Sequence, residues 1–326
     1  MPILLTEKDV KALLPMDDLI TVMASALADF SAHRVTQPLR TVLEVGEKKS
    51  FYGLMPAYLP SRPALGTKLV TVFESNIERG LPTHLATIVL LDPQTGALLA
   101  LLDGRYITEA RTAAVSAVSV QLLARADATV LAIIGSGVQA RSHLDAISRV
   151  RELSEVRVWS PTAARVGAFL SDMRSKIGAT IVAADTAEQA VRGAGIIALT
   201  TSAKEPVVRN EWIDDGTHVC AVGACRPTQR EMDAALVARS HLYVDSREAA
   251  LAEAGDILLA IADGAIGQAH IRGEIGELVS GGSRGRHPRE TVTIFKSLGM
   301  AVEDVAAASL VYERAVAGNV GTVISL

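Results

Sequence analysis

A glycine-rich segment in the middle of the chain has the composition of a phosphate-binding turn. It follows an apolar run at residues 129–134 and opens a stretch of helical periodicity at residues 138–149. In that context the first glycine permits a tight turn, the second lets the backbone approach a pyrophosphate, and the alanine allows close helix packing. Amide groups at the start of the helix would hold the phosphates. The segment predicts a dinucleotide site made of Gly135, Ser136, Gly137, Val138, Gln139 and Ala140.

The end of the next apolar run indicates which nicotinamide cofactor such a turn would prefer. The run at residues 156–159 is followed by Ser160, Thr162 and Arg165, without the acidic residue of an NAD-selective site. Small hydroxyl side chains and a guanidinium suit a 2′-phosphate, because Arg forms charge-assisted hydrogen bonds with phosphate oxygens. The pattern favours NADPH, with NADH as the second choice. Alternatively, Arg165 simply lies on the solvated face of the following helix.

The pattern around the turn predicts the fold that must position it. From residue 129 onward, short β-branched runs alternate with longer helical stretches, as in a doubly wound parallel sheet of the Rossmann type. Six strands is the usual number in that fold. The predicted strands cover residues 129–134, 156–159, 180–183, 196–200, 218–222 and 241–244, and the first two helices cover residues 138–149 and 163–177.

The beginning of the chain has a different pattern, which is typical of an α+β domain. A helix is predicted at residues 17–31, and strands are predicted at residues 40–45, 65–73, 85–91 and 97–103. A long Ala- and Val-rich helix at residues 297–317 could pack back onto this part of the chain. We therefore predict an α/β protein with a discontinuous α+β substrate-binding domain, residues 1–120 with 300–326, and a dinucleotide-binding domain, residues 121–299.

Composition and charge exclude several classes of protein. With 49% hydrophobic residues among 326, the chain can bury a large core and is neither disordered nor fibrous. A formal net charge of -4 gives no strong field for nucleic acid or an anionic membrane. The longest apolar runs are far shorter than the roughly 18 residues of a membrane span. A small-molecule partner is expected, and the basic stretch at residues 281–289 is interpreted as a solvated connection.

The cysteines and histidines show neither a metal site nor a disulfide framework. Cys220 and Cys225 lie close to the end of one predicted strand, and no Cys or His pair has zinc-ligand spacing. All histidines except His84 are interpreted as surface or structural residues. The N-terminus reaches Glu7 too soon for a signal peptide, so a reducing cytoplasm is the expected location.

Six segments spread over nearly the whole chain resemble one known family. They are LMPAY at residues 54–58, KLVT at 68–71, RTAAVS at 111–116, GSGVQA at 135–140, AVGACRP at 221–227 and FKSLGMAVED at 295–304. In these segments the sequence is similar to the ornithine cyclodeaminase/mu-crystallin family, and most closely to its mu-crystallin-like ketimine reductases. The resemblance implies a homodimer formed through the N-terminal domain.

The resemblance also implies which residues bind substrate and cofactor. Arg40, Lys68 and Arg111 match family residues around the substrate carboxylate and the nicotinamide. Because these cations are costly to bury without an anion, the α-carboxylate of a substrate is the expected counter-charge. Glu253 matches a carboxylate near the ligand pocket, or else is a helix-surface residue. Further positions near the cofactor are matched by Thr83, His84, Arg111, Thr112, Thr200, Val222 and Ser297.

Cys225 is the departure from the family pattern that bears most on the reaction. The cyclodeaminases and the related alanine dehydrogenases carry an aspartate acid/base at this position. A thiol with an ordinary pKa of roughly 8.5 is a poor substitute for a carboxylate that takes a proton from an ammonium group. Cys225 is interpreted as a small side chain lining the pocket, with a redox-active nucleophile as the alternative.

These expectations lead to one reaction and two alternatives. The first is NAD(P)H-dependent reduction of Δ1-pyrroline-2-carboxylate or Δ1-piperideine-2-carboxylate to L-proline or L-pipecolate, because a protonated ketimine needs only a hydride. The alternatives are ornithine cyclodeamination and non-catalytic binding of NADPH with a small ligand. Ring size leaves no signature in the sequence, since one methylene changes binding by only about 1 to 3 kcal/mol.

Overall fold

The computed structural model describes residues 1–46, 50–282, 285 and 291–325. Its strands are β1 Ile3–Leu5, β2 Thr41–Val45, β3 Ser50–Leu59, β4 Ala64–Val72, β5 His84–Leu91, β6 Leu98–Asp103, β7 Val130–Ile134, β8 Glu155–Trp159, β9 Thr180–Ala183, β10 Ile196–Leu199, β11 His218–Ala221, β12 His241–Val244, β13 Ile271–Glu274, β14 Thr293–Lys296 and β15 Thr322–Val323. Its helices are α1 Glu7–Leu13, α2 Met16–Ser31, α3 Gly104–Leu123, α4 Val138–Val150, α5 Ala163–Met173, α6 Ala187–Val191, α7 Ala234–Arg239, α8 Arg247–Glu253, α9 Gly255–Ala262, α10 Ile275–Val279 and α11 Ala301–Gly318. The chain divides into unit 1, Met1–Arg111 with Gly299–Leu326, and unit 2, Thr112–Leu298.

Unit 2 is built on a parallel sheet whose described strands lie in the order β13-β12-β14-β11-β10-β7-β8-β9. Along β7, Leu131 and Ile133 enter one apolar core while Ala132 and Ile134 enter the other. A parallel sheet covered on both faces buries every residue of its central strands, which explains the uninterrupted apolar run. The prediction of a doubly wound, Rossmann-type sheet is confirmed.

The prediction of six strands in this sheet is wrong, because β13 and β14 extend it to eight described strands. β13 contains two charged residues and a glycine, and β14 ends in Lys296, so neither has the continuous β-branched pattern that marks a buried strand. The second predicted helix also ends earlier, at Met173.

Unit 1 contains a mixed sheet in the order β15-β1-β6-β5-β4-β3-β2. Strands β2 to β6 form antiparallel ladders, and β1 lies parallel to β6. Helix α11 packs against α2 and against β3, β4 and β5. The centre of β4 is therefore covered by a helix, which places its side chains in a closed interior.

β3 and α3 are the longest elements that had no counterpart among the predicted ones. β3 carries Gly53 and Pro56, residues that normally argue against a strand interior. In α3 every residue from 111 to 120 is buried, so the sequence has no polar face to mark a helix.

The long C-terminal helix begins later than predicted. Residues 297–300 precede α11, and Gly299 has a φ of +81°, which a right-handed helix does not allow. The helix starts at Ala301, so the acidic pair Glu303 and Asp304 lies in its first turn.

Several remaining features can be compared with the sequence interpretation. In the part of the chain that the structure describes, no helix is long and apolar enough to cross a membrane. Within the same residues, no group of three His, Cys, Asp or Glu side chains could hold a metal ion. His143 and His218 are buried and hydrogen-bonded, as predicted for structural histidines. Most of the basic stretch at residues 281–289, with His287, lies outside the described residues.

Candidate functional site

The glycine-rich turn of unit 2 connects β7 to α4 in a conformation that requires its first glycine. Gly135 has a φ of +117°, and a Cβ built on it would lie 2.7 Å from the carbonyl oxygen of Thr200. Its amide donates to the carbonyl oxygen of Trp159 at 2.8 Å. The turn is therefore fixed against the strands on both sides of β7.

The second glycine leaves open space above the turn and is not required for its backbone conformation. Gly137 has an ordinary φ of -82°, and a Cβ built on it would meet no described atom within 4 Å. No side chain among the described residues caps the N-terminus of α4, which begins here. Ala140 is fully buried on the inner side of the helix. Open space above a glycine at an uncapped helix N-terminus fits the pyrophosphate of a dinucleotide.

Arg141 supports this turn and was not identified from the sequence. Its Nη1 donates to the carbonyl oxygens of Ser136 and Gly137, at 2.7 and 3.1 Å. Its Nε donates to Asp172 at 2.8 Å, and its guanidinium lies over the ring of Phe169. An arginine four residues after the second glycine is an ordinary helix-surface residue in sequence, so only the fold reveals this contact.

Three predicted cofactor residues lie directly after neighbouring strands of the same sheet. Thr200 follows β10, Val222 follows β11, and Ser297 follows β14. The hydroxyl of Thr200 donates to the carbonyl oxygen of Ile134 at 3.2 Å, which brings it to the glycine-rich turn. Thr112 is buried on α3. The carboxyl edge of a parallel sheet is where such folds bind ligands.

The end of β8 carries the residues predicted to choose between the two nicotinamide cofactors. Ser160 is half-buried, whereas Thr162 and Arg165 are exposed. Arg165 lies in the first turn of α5 and forms no ion pair with any described residue. β8 lies beside β7, so this loop is next to the glycine-rich turn.

Lys68 is the centre of an ionic cluster in unit 1. Its side chain is 2% exposed, and its Nζ lies 2.6 Å from Oδ2 of Asp304. Burial, aided by the charges of Arg111 and Arg40, lowers the pKa of Lys68 to about 8, although the Asp304 carboxylate opposes the shift. A lysine with this pKa is mostly protonated at neutral pH but exchanges its proton more readily than an ordinary lysine.

The two arginines of the predicted set meet at one residue. Arg111 donates from Nη1 to Glu303 at 2.7 Å and from Nε to Asp304 at 3.0 Å. Its guanidinium also packs on Gly299, where an added Cβ would lie 2.2 Å from Nη1. Arg40, half-buried, donates from Nη2 to the carbonyl oxygen of Gly299 at 3.2 Å. Residues distant in the sequence are thus brought together by the loop that precedes α11.

The protein itself supplies two of the counter-charges in this cluster. A substrate carboxylate was the expected anion, and the structure adds Glu303 and Asp304, both fully buried, which pair with Lys68 and Arg111. The N-terminal turn of a helix favours carboxylates, because its backbone amides carry partial positive charge. Their position at the end of the FKSLGMAVED segment was the available signal.

Two predicted residues of unit 1 lie apart from this cluster, and two others belong to unit 2. Thr83 and His84 contact each other at 3.0 Å, and the β4–β5 ladder places His84 opposite Val72, away from Lys68. In unit 2, the half-buried Cys225 donates from Sγ to the carbonyl oxygen of Val222 at 3.2 Å. Glu253 is the half-buried last residue of α8.

Comparison with known proteins identifies the family. The model of the "Ornithine cyclodeaminase/mu-crystallin family" matches residues 1–319. The chain belongs to this family. It is 44% identical to the ketimine reductase mu-crystallin of Mus musculus over 298 residues, covering 90% of this chain and 91% of the relative.

Two solved structures have the same fold over almost their full length. The Δ1-pyrroline-2-carboxylate reductase of Thermococcus litoralis, in complex with NADH and L-proline, has 39% sequence identity and a TM-score of 0.96, covering 99% of this chain and 100% of the relative. An archaeal alanine dehydrogenase dimer with bound NAD has 34% identity and a TM-score of 0.94, covering 99% of each chain. The α/β fold and a nicotinamide cofactor thus agree with the sequence interpretation.

Proposed function

We propose that this protein reduces Δ1-pyrroline-2-carboxylate or Δ1-piperideine-2-carboxylate to L-proline or L-pipecolate with NAD(P)H. The observation that carries the proposal is the convergence of Arg40, Lys68 and Arg111 near residues 299–304. The family context supports it, because relatives at 44% and 39% identity are named ketimine and Δ1-pyrroline-2-carboxylate reductases.

The arginines are assigned to the substrate carboxylate. A guanidinium binds a carboxylate through paired, directed hydrogen bonds, which fix the orientation of the ring as well as its position. The orientation of Arg111 is itself fixed by Glu303 and Asp304. This arrangement reduces the entropy cost of holding the imine carbon in the reactive orientation.

Lys68 is assigned to the proton on the imine nitrogen. A protonated C=N bond is a strong electrophile, and addition of hydride to its carbon moves the π electron pair onto nitrogen to give the secondary amine. When bound, NAD(P)H supplies that hydride. With a pKa near 8, Lys68 is a proton donor at neutral pH, and Asp304 holds its ammonium in place.

A steady-state assay tests the proposal. Purified protein should oxidise NADPH or NADH when given either cyclic imine, with formation of L-proline or L-pipecolate. Absence of turnover with both ring sizes would reject the proposal. Tight cofactor binding without turnover would instead identify a binding protein.

For the cofactor, we favour NADPH over NADH. The exposed guanidinium of Arg165 and the hydroxyl groups of Ser160 and Thr162 support this choice, because they follow β8 where an acidic residue would select NAD.

Replacing Arg165 by alanine should weaken NADPH binding by about tenfold, or about 1.4 kcal/mol, while changing NADH binding by less than about twofold. Only NADPH offers the 2′-phosphate. Fluorescence titration of each cofactor measures the effect, and Arg149→Ala, another exposed helix arginine of unit 2, is the control. Equal losses for both cofactors would remove Arg165 from the cofactor site.

The homodimer is proposed to form through unit 1. All five residues of the edge strand β2 are exposed, including Val42, Leu43 and Val45, and an exposed apolar edge strand is a template for pairing with another chain. The archaeal alanine dehydrogenase relative is a dimer. Light scattering should give twice the mass of one chain, and Leu43→Lys should shift the population towards monomer. A monomeric native protein would contradict this proposal.

A further inference from the structure

Three charged side chains of unit 2 are buried beneath the ends of its strands. Glu231 and Lys296 are fully buried, and Asp256 is 2% exposed. Lys296 ends β14, and its Nζ lies 3.0 Å from Oδ2 of Asp256. The other carboxylate oxygen of Asp256 accepts from the backbone amide of Glu231 at 2.7 Å. Burying these groups is costly, so their arrangement requires a reason beyond packing.

The carboxylate of Glu231 joins two loops at the carboxyl edge of the sheet. Its Oε1 accepts from the amide and the hydroxyl of Thr201, at 2.7 and 2.8 Å. Its Oε2 accepts from the amide of Gly223 at 2.7 Å. The loops touch, because a Cβ on Gly223 would lie 1.9 Å from the carbonyl oxygen of Thr201. Glu231 thus continues the connection between β10 and β11 beyond the point where their ladder ends.

These loops lie where the fold binds a dinucleotide. After β7 the chain places β8 and β9 on one side of it, and then β10 and β11 on the other side. The strand order therefore reverses at β7, beside the glycine-rich turn. Ligands of such sheets bind across this reversal, one half on each side. The half that does not lie over β8 must therefore lie over β10 and β11. Thr200 and Val222, the predicted contacts there, immediately precede the two residues that Glu231 holds.

We propose that Glu231 is a positioning residue for the nicotinamide half of the cofactor, and that its charged form holds the loops after β10 and β11 in the binding conformation. The inference rests on the cofactor of the proposed function and names a residue that acts on it indirectly. Two of the three contacts of Glu231 are backbone amides, which can only donate, so a carboxylate satisfies them and a neutral group does so less well.

The charged groups around Glu231 make this positioning sensitive to pH. Burial and the neighbouring Asp256 raise the pKa of Glu231 to about 7, while Lys296 opposes the shift. Cys225, in the loop after β11, interacts with Lys296. Because the folded pKa is near 7, Glu231 is charged above that pH and becomes protonated below it. Cofactor affinity should therefore fall as the pH decreases through about 7.

Titration of NADH into the substrate-free protein tests the proposal, since NADH lacks a 2′-phosphate that would itself titrate. Between about pH 8 and about pH 6, the Kd of the native protein should rise several-fold. Glu231→Gln should raise the Kd at the higher pH by about tenfold and remove the pH dependence. Glu205→Gln, an exposed glutamate of unit 2, should behave as the native protein.

The outcomes separate this inference from the proposed function. A native protein that binds neither NADH nor NADPH rejects the proposed function. A native protein that binds NADH equally at both pH values, or a folded Glu231→Gln with native affinity and pH dependence, rejects the role of Glu231. If Glu231→Gln does not fold, Thr201→Val removes one of the three bonds, and unchanged affinity in that variant also rejects the role.

Discussion

Replacing Lys68 by methionine is expected to lower kcat/KM for the cyclic imine by at least about 100-fold, equivalent to about 2.7 kcal/mol at the transition state. The variant removes the ammonium that keeps the imine nitrogen protonated but retains most of the side-chain volume. Asp304 keeps a hydrogen bond from Arg111 at 3.0 Å, so its charge is not left without a partner. NADPH affinity should change little, because Lys68 is assigned to the imine and not to the cofactor.

The pH profile distinguishes a proton donor from a structural lysine. Because the protonated form is required and the pKa is about 8, native kcat/KM should fall as the pH rises through about 8. The residual activity of Lys68→Met should lack this decrease. Lys11→Met, which removes an exposed lysine of the same unit, is the control. Near-native activity of a folded Lys68→Met would show that Lys68 only stabilises the fold.

Regular buried strands explain why the nucleotide-binding half of the fold could be predicted. In β7 the apolar run ends where the strand ends, because a strand buried on both faces contains little else. β8 alternates between buried and partly buried residues, and its valines marked it as a strand. The turn at residues 135–140 could be interpreted from its glycines, whose roles are local. β14 was missed because it ends in a lysine, and that lysine is acceptable only because Asp256 lies 3.0 Å away. A partner forty residues distant leaves no local pattern.

The ionic cluster of unit 1 also depends on partners that are distant in the sequence and leave no local pattern. The positions of Arg40, Lys68 and Arg111 followed from the family resemblance. The need for a counter-charge suggested a substrate carboxylate and did not identify Glu303 and Asp304. Those residues face the cations only because Gly299 ends the preceding segment and α11 starts at Ala301. The buried Glu231 was missed for a similar reason, since its partners lie in loops after two other strands.

The native protein is expected not to convert L-ornithine to L-proline and ammonia, and Cys225 is the reason. Cyclodeamination begins with hydride removal from a carbon whose amine must be neutral, yet that amine is mostly an ammonium ion at neutral pH. Residue 225 offers a thiol in place of a carboxylate, and its Sγ is engaged with the carbonyl oxygen of Val222 at 3.2 Å. A neutral thiol cannot accept that proton as a carboxylate does. Lys68 is no substitute, because with a pKa of about 8 it is mostly protonated at neutral pH, and Asp304 at 2.6 Å pairs with its ammonium group.

The prediction is tested by incubating the native protein, Cys225→Ser and Cys225→Asp with L-ornithine and NAD, and measuring ammonia and proline. The native protein and the serine variant should release no ammonia above the blank. Both should reduce the cyclic imine with kcat/KM values within about threefold of each other, a difference of about 0.6 kcal/mol. The reason is that imine reduction requires no proton transfer by residue 225. The aspartate variant supplies the carboxylate found at this position in the cyclodeaminases, so any gain of ammonia release should occur there. Brisk ammonia release by the native protein would show that a thiol at position 225 does not prevent cyclodeamination, and the argument from Cys225 to imine reduction would fail.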